Sequence, residues 1–86
     1  MEWTIYNWAL LGNAVRNERR AREWTQATLA ERSGVSRGWL NRFEQGLDNA
    51  EPRTVLRVLR ALDLDIIVRP HRHTEDDDLL REVLGG

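Results

Sequence analysis

The 86-residue sequence contains no cysteine and no lysine, and it has only two prolines. The lack of cysteine excludes a disulfide scaffold, a thiolate nucleophile and a cysteine-based zinc site. No apolar run approaches the roughly 18 residues that a membrane-spanning helix needs. The first residues also lack the basic-then-apolar order of a signal peptide. These absences predict one small cytoplasmic domain, which at this length is marginally stable alone and gains from dimerising.

Charge is unevenly distributed along the chain, although the formal net charge is only −1. Residues 1–62 hold ten arginines and seven acidic residues, which gives +3, whereas residues 63–86 hold three arginines and seven acidic residues, which gives −4. A near-neutral total argues against nucleic-acid binding, but a basic first part does not. The basic part and the acidic part are therefore expected to have different binding partners.

The spacing of apolar residues predicts four helices. The first covers residues 8–22. The second follows an N-cap at Thr25 and stops at Gly34, and the third opens after an N-cap at Ser36 and ends at Gly46. The fourth begins at Pro52, which suits the first helical position because its missing N–H would be unpaired there anyway. An all-α fold of four to five helices is expected.

After Asp63 the period of the apolar residues changes to two, which predicts a single strand that ends at Pro70. One strand cannot pair its own backbone groups, so it needs a partner. The only other extended candidate in the chain is residues 2–6. The simpler solution is the same strand of a second copy, paired antiparallel about a two-fold axis. The expected dimerisation residues are Leu64, Ile66, Ile67 and Val68.

The segment from Trp24 to Gly46 describes two short capped helices joined by a tight turn. This is the pattern of a helix-turn-helix, whose second helix lies in the DNA major groove. The outer face of that helix carries polar residues that suit groove recognition, namely Ser36, Arg37, Gly38, Asn41 and Arg42. Arginine reads guanine bidentately and asparagine reads adenine, while glycine leaves room for close approach. Arg37 and Arg42 could instead be ordinary solvated charges, but their position on the open face of the motif favours DNA contact.

The motif in this segment resembles that of the Xre/phage-repressor helix-turn-helix family, and the resemblance extends over roughly residues 9–62 of the chain. The matching positions are Thr25, Gln26, Leu29, Ala30, Gly34, Val35, Ser36, Leu40, Glu44 and Gly46. The resemblance implies a lambda-repressor-like fold, with base contacts from Ser36, Arg37, Gly38 and Arg42. It further implies backbone contacts from Gln26, which also braces the reading helix, and from Asn41, Gln45 and Arg16. Arg19 and Glu44 are implied to form a structural pair.

The continuation through residues 53–68 is similar to the HipB-type antitoxins, in which a fourth helix leads into a strand that pairs with the dimer mate. This resemblance implies a homodimer that binds a palindromic DNA operator, represses its own operon and neutralises a HipA-like kinase toxin. Two alternatives stay open. One is a stand-alone or phage-type regulator without a toxin, and the other is an interaction module whose DNA binding is secondary.

The predicted organisation has three parts: an N-terminal arm over residues 1–8, the DNA-binding domain with its dimerisation strand over 9–69, and an acidic, disordered tail over 70–86. His71 and His73 form a weak metal-binding pattern in that tail, and a solvated tail is favoured over a metal site. No cofactor is expected. No nucleophile–base pair or carboxylate pair lies on a predicted rigid element, so no catalytic residue is assigned.

Overall fold

A computed structural model of the chain describes residues 2–71. Within that range the chain forms four helices, α1 (Trp8–Ala21), α2 (Gln26–Ser33), α3 (Arg37–Glu44) and α4 (Pro52–Ala61). The predicted all-α helix-turn-helix fold is therefore confirmed. None of these helices is long and apolar enough to cross a membrane.

Local side-chain chemistry sets most of the helix ends. The Asn7, Thr25 and Ser36 side chains each accept a hydrogen bond from a backbone N–H in the first turn that follows them. Such caps satisfy donors that have no partner inside the helix. At the other end of α2, Gly34 adopts the left-handed conformation at φ 72°. Because that conformation is strained for residues with a side chain, glycine gives the sharp turn into α3.

The core lies where the apolar faces of the four helices meet. Its largest fully buried side chains are Val15, Leu29, Leu40, Phe43, Val55, Val58 and Leu62. α1 packs against α3, and α2 packs against both α3 and α4. The segment after α4 is tied to α1, since the Arg22 guanidinium donates to the Leu62 carbonyl oxygen over 2.7 Å. α2 and α3, the two helices of the motif, are therefore packed between α1 on one side and α4 on the other.

The expected strand is not formed in the single chain. Residues 64–71 have no regular secondary structure, and no strand occurs elsewhere in residues 2–71. The physical reason is that one strand leaves its N–H and C=O groups unpaired until a second strand arrives. Pairing with a second copy stays a prediction. Most of the predicted tail, including His73 and the acidic run, lies outside the described residues.

Candidate nucleic-acid interface

The outward face of α3 carries the residues that the sequence predicts to contact DNA. They are all solvent-exposed and comprise Ser36, Arg37, Gly38, Asn41, Arg42 and, at the C-cap, Gln45. The opposite face buries Leu40 and Phe43 completely. Because residues three and four apart share one side of a helix, burying this pair turns Arg37, Asn41 and Arg42 to solvent. The structure therefore brings the predicted residues together on one exposed surface.

The α3 backbone is open to close approach at Gly38. A Cβ atom built there would meet only the Nη1 atom of Arg42, at 3.7 Å. The glycine is therefore not required by packing inside the domain. Its absent side chain leaves space beside the Arg42 guanidinium.

A polar pocket of about 270 Å³ lies at the edge of this face, where α1, α2 and α3 converge. The pocket is lined by Arg16, Gln26, Asn41 and Gln45. The family resemblance implies that Arg16 contacts a DNA phosphate. Arg20 also lines it, although this residue is not among those predicted from the sequence to contact DNA. The signal was present in the sequence, because residues at positions i and i+4 of a helix share a face and Arg20 follows Arg16 by four.

A buried ion pair forms the floor of the same pocket. The Arg19 Nε and Nη2 atoms each donate to one carboxylate oxygen of Glu44 at 2.8 Å, and Nη1 donates to the Trp24 carbonyl oxygen at 2.8 Å. The hydrogen bond to Glu44 raises the pKa of the Arg19 guanidinium, an effect that burial opposes. The guanidinium thus stays charged throughout the ordinary pH range. The structural pairing implied by the resemblance is present.

Three amide side chains connect this ion pair to the exposed face. The Gln26 Nε2 atom donates to Glu44 Oε1 at 3.2 Å and to Asn41 Oδ1 at 3.3 Å. The Gln45 Nε2 atom also donates to Asn41 Oδ1 at 3.3 Å. The first residue of α2 is therefore hydrogen-bonded to the middle of α3, so the two helices of the motif are joined through Gln26.

Residues 10–71 match the family model described as a helix-turn-helix domain. The chain belongs to the helix-turn-helix domain family. It is similar to the HipB antitoxins of Escherichia coli O6:H1 strain CFT073 and Escherichia coli K12, with 32% identity over 62 residues in both cases. The match covers 72% of this chain and spans 66% and 70% of the two relatives' lengths.

Solved HipB structures have the same fold as this helix-turn-helix chain. A HipB–O4 20-mer complex aligns with a TM-score of 0.77 at 28% identity, and a HipA–HipB–O2–O3 complex aligns with 0.76 at 28% identity. Each alignment covers 83% of this chain and the whole of the matched chain. The chain is accordingly a HipB-like member of the helix-turn-helix family.

The predicted dimerisation segment of this helix-turn-helix chain is apolar and solvent-exposed. Ile66, Ile67 and Val68 are 61%, 71% and 94% exposed, whereas Leu64 is half-buried against the core. The same segment lines a wide groove together with Trp3 and other residues of the N-terminal arm. Exposed aliphatic side chains next to one another are typical of interaction surfaces.

No group of three or more histidine, cysteine or acidic residues lies together in the part of the chain that the structure describes. His73, one of the two histidines of the weak metal pattern, lies outside that part.

Proposed function

We propose that this chain is the antitoxin and transcriptional repressor of a HipBA-like toxin–antitoxin system. As a homodimer in the cytoplasm it binds a palindromic DNA operator, and it neutralises a HipA-like kinase toxin. The observation that carries the proposal is the exposed polar face of α3. The fold that presents this face is shared with HipB in the HipB–O4 20-mer complex and in the HipA–HipB–O2–O3 complex. The function is one of binding, with no catalytic step.

Each residue of the face has a role in this proposal. Arg37 and Arg42 read base edges in the major groove, because guanidinium groups match the paired acceptors of guanine. Ser36 adds a hydroxyl at the start of α3, and Gly38 allows the backbone to come close. Arg16, Gln26, Asn41 and Gln45 set the register at the phosphate backbone, which positions the domain without reading sequence.

Dimerisation through Leu64, Ile66, Ile67 and Val68 gives the operator its symmetry. Two copies related by a two-fold axis place their reading helices in successive major grooves, about 34 Å apart. The expected site is therefore a palindrome with half-sites one helical turn apart. Since arginines replace counterions at the phosphates, binding should weaken steeply as the salt concentration rises.

The DNA-binding proposal is tested with a duplex from upstream of the gene that encodes this chain. Mobility shifts are compared for the unsubstituted chain, Arg37→Ala, Arg42→Ala and Arg60→Ala. Arg60 is exposed on α4, outside the proposed contact set, and its substitution removes the same charge. We expect Arg37→Ala and Arg42→Ala each to lose about 1–3 kcal/mol per half-site and to relax specificity at one position. If all three variants bound the duplex with the same affinity and specificity, the surface that reads the bases would lie elsewhere on the chain.

The antitoxin role is tested by co-expression with the reading frame next to this gene. We expect the neighbour to be a kinase-like protein whose toxicity disappears when this chain is present and returns when it is removed. A chain that shifts its operator but neutralises no neighbour would instead be a stand-alone regulator.

A further inference from the structure

The outward face of α4 is basic, and the proposed function does not use it. Arg53, Arg57 and Arg60 are exposed on this helix, which contains no acidic residue. Residues three and four positions apart lie on one side of a helix, so the three guanidinium groups form one stripe. In the part of the chain that the structure describes, none of the three forms an ion pair or a side-chain hydrogen bond.

An aliphatic side chain lies within this stripe. Leu56 is 44% exposed, whereas Val55, Val58 and Leu59 of the same helix are buried. It follows Arg53 by three positions and precedes Arg60 by four, so it lies between them on the surface. We call Arg53, Leu56, Arg57 and Arg60 the α4 arginine face. A face of this kind is complementary to a segment that combines acidic and aliphatic side chains.

The chain contains one segment of that composition, beyond the described residues. Positions 75–78 are four consecutive acidic residues, and Leu79, Leu80, Val83 and Leu84 follow them. Residues 75–84 hold five acidic residues and one arginine, which gives −4, whereas the three arginines of α4 give +3. The segment and the α4 arginine face are therefore opposite in charge, and both contain aliphatic side chains.

The length of the chain allows the two to meet. The described part ends at His71, which lines the same groove as Leu59 of α4. The acidic residues begin four positions later. At about 3.3–3.6 Å per extended residue, this linker reaches roughly 14 Å. A helix of ten residues such as α4 is about 15 Å long, so residues 75–84 can follow it from end to end.

We propose that residues 75–84 dock on the α4 arginine face of their own chain, with carboxylates against the arginines and an aliphatic side chain against Leu56. This inference goes beyond the proposed function and does not depend on DNA binding. Composition predicts no stable structure for the tail by itself, and such segments become ordered on a complementary surface. The exposed face of α3 is the competing basic surface, but its exposed residues include no aliphatic side chain.

Because the chain contains no cysteine, docking can be measured by disulfide trapping in the full chain. Leu56→Cys is combined in turn with Leu79→Cys, Leu80→Cys, Val83→Cys and Leu84→Cys. A control series combines Asn41→Cys, on the exposed face of α3, with the same four substitutions. A disulfide needs Cα atoms within about 7 Å, so its rate of formation under mild oxidation reports how often the two positions meet.

The fastest pair with Leu56→Cys should close at least about tenfold faster than any pair with Asn41→Cys, because docking raises the local concentration of the tail. The product should run as a monomer on a non-reducing gel, and circular dichroism checks that each variant is folded. Similar rates in the two series would mean an undocked tail. Faster closure with Asn41→Cys would place the tail on the α3 face, and disulfide-linked dimers would place it on a second copy. Each of these three outcomes overturns the proposal.

The ionic part of the contact is tested in the fastest-closing pair. We expect Arg53→Gln, Arg57→Gln and Arg60→Gln together to slow closure severalfold. Added salt should do the same, because charges are screened beyond about 3 Å at 1 M ionic strength. The matched control removes three exposed arginines outside α4, through Arg20→Gln, Arg37→Gln and Arg42→Gln. This control should close at the original rate. Equal slowing in both triple variants would show that only the total charge matters, and would contradict docking on α4.

Discussion

At the scale of single residues, the Arg19–Glu44 pair supports the α3 surface that is proposed to contact DNA. Its two hydrogen bonds join α1 to the end of α3, and the Arg19 side chain also holds the Trp24 carbonyl oxygen before α2 begins. All three helices of the interface therefore meet at one guanidinium. In the described chain no buried side-chain nitrogen or oxygen is without a partner, so removing either member leaves the other buried and unpaired.

We expect Glu44→Ala to lower the free energy of unfolding by about 3–5 kcal/mol, because an uncompensated buried charge remains. Such a loss approaches the whole stability of a small domain, so the variant should be largely unfolded near room temperature. Urea unfolding followed by circular dichroism measures it. Glu18→Ala is the matched control, since Glu18 pairs with Arg22 at 3.6 Å nearer the surface and should cost less than about 1 kcal/mol. Similar losses for the two variants would contradict this account.

At the scale of helices, the crossing of α1 over α3 depends on Gly12. A Cβ atom there would overlap the carbonyl oxygen of Phe43 and lie 2.9 Å from its carbonyl carbon. Both atoms belong to the backbone of α3, which cannot move aside as a side chain can. The close approach of these helices brings Arg16 and Arg20 next to Asn41.

Two glycine-to-alanine substitutions test this packing against helix propensity. We expect Gly12→Ala to destabilise the domain by about 1–3 kcal/mol because the helices are forced apart. Gly38→Ala is the matched control: a Cβ atom meets only a side-chain nitrogen at 3.7 Å, so alanine should stabilise α3 by about 0.5–1 kcal/mol. Urea midpoints of the two variants should thus move in opposite directions. A stable Gly12→Ala variant would mean that the helices cross with more space than described.

The ends of the helices were predictable from sequence because their signals are local. Thr25, Ser36 and Pro52 act within one turn of the chain, and the structure uses each as expected. The contact of Gly12 with Phe43 was not predictable, since it joins residues 31 positions apart whose approach is set by packing. The pairing of Arg19 with Glu44 spans 25 positions, and only the family resemblance indicated it.

At the scale of the whole molecule, the uneven distribution of charge corresponds to a division of surfaces. The basic first part contains α1–α4 and the polar face, whereas the acidic remainder begins at the end of α4. Exposed aliphatic residues 66–68 lie in that second part. The two proposed interfaces therefore use separate parts of the chain.

The proposed dimer is tested by changing one side chain in the exposed segment. Ile66 is 61% exposed and so adds little to the core of the single chain, but it would be covered in a strand pair with a second copy. We expect Ile66→Asp to give monomers by sedimentation, since a carboxylate would be buried without a partner, while helical content by circular dichroism stays unchanged. Operator affinity should fall as well, because two half-sites are no longer bound together. Ile66→Val keeps the branched apolar side chain and should remain dimeric. An intact Ile66→Asp dimer would refute pairing through this segment.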